Sequence, residues 1–288
     1  LQTVISGISI GCVYGLVALG FVLIFKATEV INFAQGELLM LGAFISYSLI
    51  SILHFPYWAA LLVTVIVMGL FGTLLERTVL RSLVGEPVYA IVIVTIGIAF
   101  FLRSAVSMVP GWGTDTYGFQ TPFTDRLVRS GELVISWEYI AIVLITTILI
   151  LVLFAFFRFT RVGTAMRATS QNQLAAVYMG ISVTRVFSLS WTIAAALGGI
   201  GGILLAPITF VHMNMGFIGL KAFPAAVLGG LGSLPGAIVG GLIIGVTESL
   251  AGFYLPEGWK DIAAWIILIG VLVIRPQGLF GIQEKKKV

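Results

Sequence analysis

The 288 residues hold only one cysteine, Cys12, and two histidines, His54 and His212. A lone cysteine cannot close an internal disulfide, and three scattered residues do not have the spacing of a zinc site. No metal ligand is assigned. Charge is just as scarce, since Asp, Glu, Lys and Arg make up 10% of the chain against 59% hydrophobic residues. That balance lies outside the range of soluble globular domains and reads as a polytopic membrane protein. The formal net charge of +4 is too small and too dispersed to suggest a nucleic-acid partner. The sequence has no GxxxxGK[ST] loop to cradle ATP phosphates. Neither histidine stands where it would serve a nucleophilic serine, and no close aspartate pair marks an intramembrane protease. A membrane hydrolase or lipid transferase therefore lacks its parts, no catalytic residue is assigned, and the chain is read as a non-enzyme.

What is abundant is apolar sequence. Runs long enough to cross a bilayer fall at about residues 4–25, 38–53, 58–75, 89–109, 137–157, 186–206, 238–250 and 262–274. The first run is too long for the core of a cleaved signal peptide. Arg77 and Arg81 lie in one connection, and Arg158, Arg161, Arg167 and Arg185 in another, at about 158–185. Both are read as cytoplasmic, because positive charge is retained on that side. Residues 110–136 mix Asp115, Asp125, Arg126, Arg129 and Glu132 with glycine and aromatics, as an external loop would. The run Lys285, Lys286, Lys287 places the carboxyl end in the cytoplasm; a headgroup contact or a solvated tail would also account for it.

This orientation creates a problem of parity. The span at 186–206 leaves the cytoplasm and the last span returns, so everything between must begin and end outside. Residues 222–245 lie in that interval and carry seven glycines and two prolines. Parity holds if 216–232 descends as a short, partly re-entrant segment, turns near Ser233, Leu234, Pro235 and Gly236, and rises again from 237 to 250. Irregular backbone at that depth needs protein or water around it, so the segment should be central. A second interruption falls at 25–44, where Lys26, Glu29, Asn32, Gln35 and Glu37 crowd between apolar runs. If helical, Lys26, Glu29, Asn32 and Gly36 share a face and line a cavity; the competing reading pairs Lys26 with Glu29 at a helix end. Interrupted segments, one per half, mark the solute path in inverted-repeat transporters, although the halves here share no visible sequence identity. Glu29, Asn32, Gln35 and Glu37 are the solute-path candidates, their amides and carboxylates suited to the polar ends of a small zwitterion. The amino end is outside if 29–36 is a full connection and inside if it is re-entrant. Arg103 and Glu248 are intramembrane charges that pair or snorkel.

Three stretches resemble one family. Phe223, Ala225, Ala226, Val227, Leu228, Gly229, Gly230, Gly232, Ser233, Pro235, Gly236, Ala237, Gly240 and Gly241, with Leu234 in the turn, resemble the permease signature of the branched-chain amino acid family of ABC importers. INFAQGELLMLGAF at 31–44 and RVGTAMRATSQNQLAAVYMGISVTRVFSLSW at 161–191 resemble the same family, in the same order. Pro224 departs from the small hydroxyl residue expected there, and residues 170–173 lack an acidic residue. The resemblance implies that 222–241 contacts ATPase subunits, whereas spacing alone equally fits helix packing through Gly232, Gly236 and Gly240. Arg167, Gln171 and Asn172 are candidates for a second docking element, on a connection that could equally be an interfacial helix setting orientation. The implied fold is an all-α, type II ABC importer-like permease of about eight transmembrane helices with broken or re-entrant segments, one domain over 1–288. The implied partners are a homologous second permease, two cytoplasmic ATPases that hold the ATP and Mg, a periplasmic binding protein and the bilayer of a bacterial inner membrane. No cofactor is expected on this chain. The implied cargo is a branched-chain or related amino acid. Alternatives are urea, short amides or aromatic carboxylates and, from another class, a stand-alone channel or secondary carrier for a small polar solute.

Overall fold

In hydrocarbon every backbone N–H and C=O must be satisfied within the protein, so long apolar runs fold as helices. The computed structural model describes residues 1–113, 115–130, 133–256 and 258–281; Glu132 and the run Lys285, Lys286, Lys287 lie outside the described residues. In chain order the elements are α1 (Gln2–Thr28), α2 (Gln35–Tyr47) continued by a π-helical turn Ser48–Ile52, α3 (Tyr57–Thr78), α4 (Val88–Met108), β1 (Leu127–Ser130), β2 (Leu133–Ser136), α5 (Trp137–Phe159), α6 (Arg161–Gln171), α7 (Gln173–Tyr178), α8 (Val183–Thr209), α9 (Met215–Leu220), α10 (Ala222–Gly229), α11 (Leu234–Tyr254) and α12 (Trp259–Ile274). Among the described residues, seven helices are long and apolar enough to cross a membrane, and Met215–Gly229 forms a shorter apolar pair. The protein is thus a multi-pass, mostly helical membrane bundle. The helical membrane fold expected from the sequence is present, with one addition in a connection, an antiparallel hairpin in which Leu127 pairs with Ser136 and Val128 with Ile135. Its alternating pattern runs only four residues per strand, too short to stand out in a polar connection.

The core is built around α1, which is buried along most of its length and packs most extensively on α11, then on α8. Lipid tails are as apolar as leucine, so helices in a bilayer associate through close packing rather than by escaping water. Glycine supplies that closeness here. A Cβ added at Gly11 would lie 2.9 Å from both Gly241 O and Leu242 Cα, and one added at Gly7 2.8 Å from Val246 Cα. In the other direction, a Cβ at Gly241 would collide with Gly15, and one at Gly245 with Gly11. The two helices cross antiparallel, backbone against backbone, with small residues every fourth position. On its other side α11 meets α10 in the same way, through Gly236 against Gly229 and Gly240 against Ala225.

The descending segment is broken where its chemistry requires. Pro224 has no N–H for the carbonyl of Leu220, and α9 ends there. Lys221 fills the break, donating from Nζ to Glu248 Oε1 and Asp261 Oδ1, each at 2.7 Å. The Tyr14 hydroxyl donates to Glu248 Oε2 at 2.7 Å, so the break is tied to α1, α11 and α12 together. Past α10 the chain turns at Gly230, whose φ of 98° favours glycine. Ser233 caps α11 by accepting from Gly236 N at 3.1 Å, with Pro235 in the first turn, where a missing N–H costs little.

One face gathers the basic connections. Gln173 Nε2 donates to Ala27 O at the end of α1, and Lys26, Arg167, Ser190 and Leu234 line a common cleft. After α12 the chain returns to the same face, where Leu279 N donates to Leu228 O and Phe280 N to Gly229 O. The amino end lies on the opposite face: Gln2 Nε2 donates to Val134 O of the hairpin at 2.9 Å.

Two variants test this packing. Gly241→Leu forces a side chain into the backbone of α1 and should cost at least about 3 kcal/mol, at the top of the overpacking range. Gly97→Leu, where nothing lies within 4 Å, should leave the thermal midpoint in detergent unchanged. Lys221→Met leaves Glu248, only 3% exposed, without its cation, and should destabilise by about 3 kcal/mol or more. Asp261→Asn, whose side chain is 71% exposed, should barely move the same midpoint.

Candidate functional site

The chain between α1 and α2 does not continue the helix, and this overturns the shared face expected of Lys26, Glu29, Asn32 and Gly36. Glu29 caps α1 in the left-handed region, φ 59°, and its side chain is exposed. From there the backbone turns back into the bundle. Asn32, fully buried, accepts from Ala34 N at 3.0 Å through Oδ1 and donates from Nδ2 to Gln35 Oε1 at 3.4 Å. Gln35 Nε2 in turn donates to Ala194 O of α8 at 2.9 Å. Gln35 also presses on Gly20, eight residues before α1 ends, so α2 starts about 12 Å inside the bundle. These amides are spent on the frame of the break. The competing Lys26 to Glu29 pair is not among the ion pairs of the described residues. Asn32 does border a cleft of about 140 Å³ on the basic face, with Glu76, Gln173 and Trp191.

The interrupted segments meet at the start of α2, where Gly36 and Gly216, 180 residues apart in sequence, are in contact. A Cβ at Gly36 would collide with Gly216 O and sit 3.0 Å from Leu220 N; one at Gly219 would lie 2.7 Å from Gly36 Cα. Beside this crossing, Arg103 of α4 donates from Nη2 to Glu37 Oε1. The guanidinium carbon stands 4.0 Å over the ring of Phe217, a cation–π contact that fixes its plane. A cavity of about 180 Å³ opens here, lined by Phe33, Glu37, Phe100, Arg103, Phe217 and Leu220 among others. A second, wider space of about 410 Å³ shares Phe217 and Leu220 and reaches Lys221 and Asp261. Of the four solute-path candidates, only Glu37 reaches this cavity. Arg103 belongs with it, and its signal in the sequence was a lone arginine inside an apolar span, with no way to read which carboxylate it meets.

On the basic face the glycine-rich segment is mostly turned inward. Ala225, Ala226, Leu228, Gly229, Gly230, Gly236, Ala237, Gly240 and Gly241 are buried, and Phe223 packs on Phe21 and Phe33. Val227 is partly buried; Gly232 and Pro235 are exposed, with Ser233 and Leu234 partly so. The connection α6–α7 presents more surface. Thr160 and Asn172 cap its two helices, accepting from Gly163 N and Ala175 N at 2.9 Å each. Arg167, Gln171 and Asn172 are exposed, and so are the apolar side chains of Leu174 (72%), Tyr178 (86%) and Met179 (82%). An apolar patch of this kind beside charged and amide groups marks a contact with protein or with the membrane surface. Because Arg167 and Leu234 line the same cleft, the turn and α6–α7 form one continuous surface.

Comparison with known proteins agrees with this architecture. The chain is 33% identical to the high-affinity branched-chain amino acid transport system permease protein LivH of Salmonella typhimurium, covering 100% of this chain and 97% of that one. It is also 33% identical to the corresponding permease protein BraD of Pseudomonas aeruginosa, covering 100% and 98%. In fold it matches PsaBC from Streptococcus pneumoniae, solved in complex with Fab, with a TM-score of 0.52 and 15% identity over 96% of this chain and 91% of that one. A family profile described as branched-chain amino acid transport system / permease component matches residues 3–272, and the chain belongs to that family.

Proposed function

We propose that the chain is the permease subunit of an ATP-driven importer of branched-chain amino acids. It pairs with a second, homologous permease, with two ATPase subunits that hold the ATP and Mg, and with a binding protein that delivers the cargo. The observation that carries this reading is the full-length similarity to two permeases of that transport system. The basic face is the cytoplasmic one, because Arg77, Arg81, Arg158, Arg161, Arg167 and Arg185 fall in the connections on that side. The amino end and the hairpin then face outward, toward the binding protein.

The ATPases dock on the surface made by α6–α7 and by residues 231–235. Leu174, Tyr178 and Met179 supply its apolar centre, while Arg167, Gln171, Asn172, Gly232 and Pro235 border it. Closure of the ATPases pushes this surface. The turn leads directly into α11, and α11 is locked to α1 and α10 by glycine contacts, so the push moves these helices as a body rather than bending one of them. The effect is a population shift between states open to either side, driven by the different affinity of the ATPases for each state.

In proteoliposomes, leucine uptake should require ATP, both ATPases and the binding protein; uptake by this subunit alone, indifferent to ATP, would replace this reading with a stand-alone carrier. Leu174→Asp combined with Tyr178→Asp changes only exposed side chains and should leave stability within about 0.5 kcal/mol of wild type. The same variant should lower uptake at least about tenfold and abolish stimulation of ATP hydrolysis by loaded binding protein, as loss of an apolar anchor at an interface does. Wild-type uptake would remove α7 from the contact. Pro235→Glu applies the same measurement to the turn.

A further inference from the structure

The carboxyl end of α10 is finished by a distant part of the chain. An α-helix leaves its last carbonyls without partners of its own, and buried ones need donors from elsewhere. Val227 O takes the N–H of Gly230 at 3.0 Å, but Leu228 O and Gly229 O take theirs from Leu279 and Phe280, at 2.8 and 3.1 Å. Both donors lie beyond α12, 51 residues later in the chain. The approach is backbone against backbone. Gly278 is buried at φ 77°, and a Cβ on it would lie 2.6 Å from Val227 O and 2.7 Å from Gly230 N. A Cβ on Gly230 would in turn lie 2.9 Å from Gly281 N. Positive φ and the lack of room leave glycine as the residue that fits on both sides. The segment is also closed on itself: Gly278 N donates to Arg275 O at 2.9 Å, and Arg275 Nη1 to Leu279 O at 3.2 Å. Residues 276–281 thus form a strap over the turn between α10 and α11. Leu279 packs against the core, whereas Phe280 beside it is 47% exposed.

We propose that this strap is a third element of the ATPase-docking surface, with Phe280 as the side chain that meets an ATPase subunit. The inference rests on the docking surface proposed above and extends it to α12. Continuity identifies the occupant. The strap is bonded to Gly229, the turn follows at once, and Leu234 at its far end shares a cleft with Arg167 of α6. A protein seated on α6–α7 and the turn therefore lies beside Phe280. Hydrocarbon is the poorer occupant, because the strap is non-helical and irregular backbone does not face acyl chains. Aromatic side chains are also enriched in the cores of protein interfaces. The consequence is mechanical. Through Leu279 and Phe280 the turn is joined to the end of α12, so a push at the surface reaches α12 without first passing through α11.

The test places a photoreactive p-benzoylphenylalanine at position 280 of the full-length permease, assembled with both ATPases and the binding protein in lipid nanodiscs. Irradiation should join the permease to an ATPase subunit, and so should the same probe at position 178. Phe280→Asp should lower leucine uptake at least about tenfold with the thermal midpoint unchanged, while Phe280→Leu retains most of it, as an apolar contact requires. Capture of lipid alone from position 280, in an assembled complex whose probe at 178 captures the ATPase, would overturn the strap contact and leave α6–α7 in place. Capture of the ATPase from neither position would overturn the whole docking surface. If the probe at 280 blocks assembly, the substitutions decide: wild-type uptake by Phe280→Asp, or a lowered midpoint with both substitutions, would overturn the contact. Failure of the unmodified complex to take up leucine would overturn the transport reading, while the adducts at 178 and 280 would still decide the contact.

Discussion

Backbone-to-backbone contact through glycine is the constraint on which the rest of this structure depends. Gly7, Gly11 and Gly15 of α1 lie against α11, and Gly241 and Gly245 of α11 lie against α1, with no room for a Cβ at most of these points. In a bilayer such closeness replaces the hydrophobic drive that folds soluble proteins. Because α11 carries a second glycine face toward α10, the α1–α11 pair also positions the short descending segment. That segment then crosses the start of α2 through Gly36, Gly216 and Gly219. Removing any one of these contacts would separate elements that no ladder of backbone hydrogen bonds joins.

Charge follows the same geometry. Lys221 with Glu248 and Asp261, and Arg103 with Glu37, sit where helices are broken or cross. The first cluster is hydrogen-bonded on every side that is buried, and it clamps the break between α9 and α10 to three other helices. The second leaves Glu37 Oε2 and Arg103 Nε, both buried, without a partner among the described residues. Both clusters hold the bundle where its helices break or cross, and they differ in how completely their atoms are paired.

The segment that resembles the family signature has a different part from the one its composition suggests. Most of its glycines and alanines are used inward, in contact with α1 and between α10 and α11, and within it only Gly232 and Pro235 are exposed. More surface lies on α6–α7, where Leu174, Tyr178 and Met179 stand exposed. The short turn and the exposed helices adjoin, so a force applied to one is applied to both. What the glycines provide is stiffness: they join the turn to the core without soft side chains between.

The membrane class, the places of the spans, the basic face and the turn between α10 and α11 were determined by the sequence itself. Each follows from a local property: hydropathy, arginine placement, or proline and glycine that no continuous helix accepts. The break after α1 was legible for the same reason, but its form was not, because the left-handed Glu29 and the Asn32 turn depend on Gln35 finding Ala194 across the bundle. Short strands at 127–136 were hidden by their length. Tertiary structure alone decided which glycine face meets which helix, and that Arg103 finds Glu37 across 66 residues of chain. The reason is rotational: an apolar helix signals its presence by composition, but in lipid its azimuth is set by the shape of its neighbours, and only that azimuth brings distant charges together.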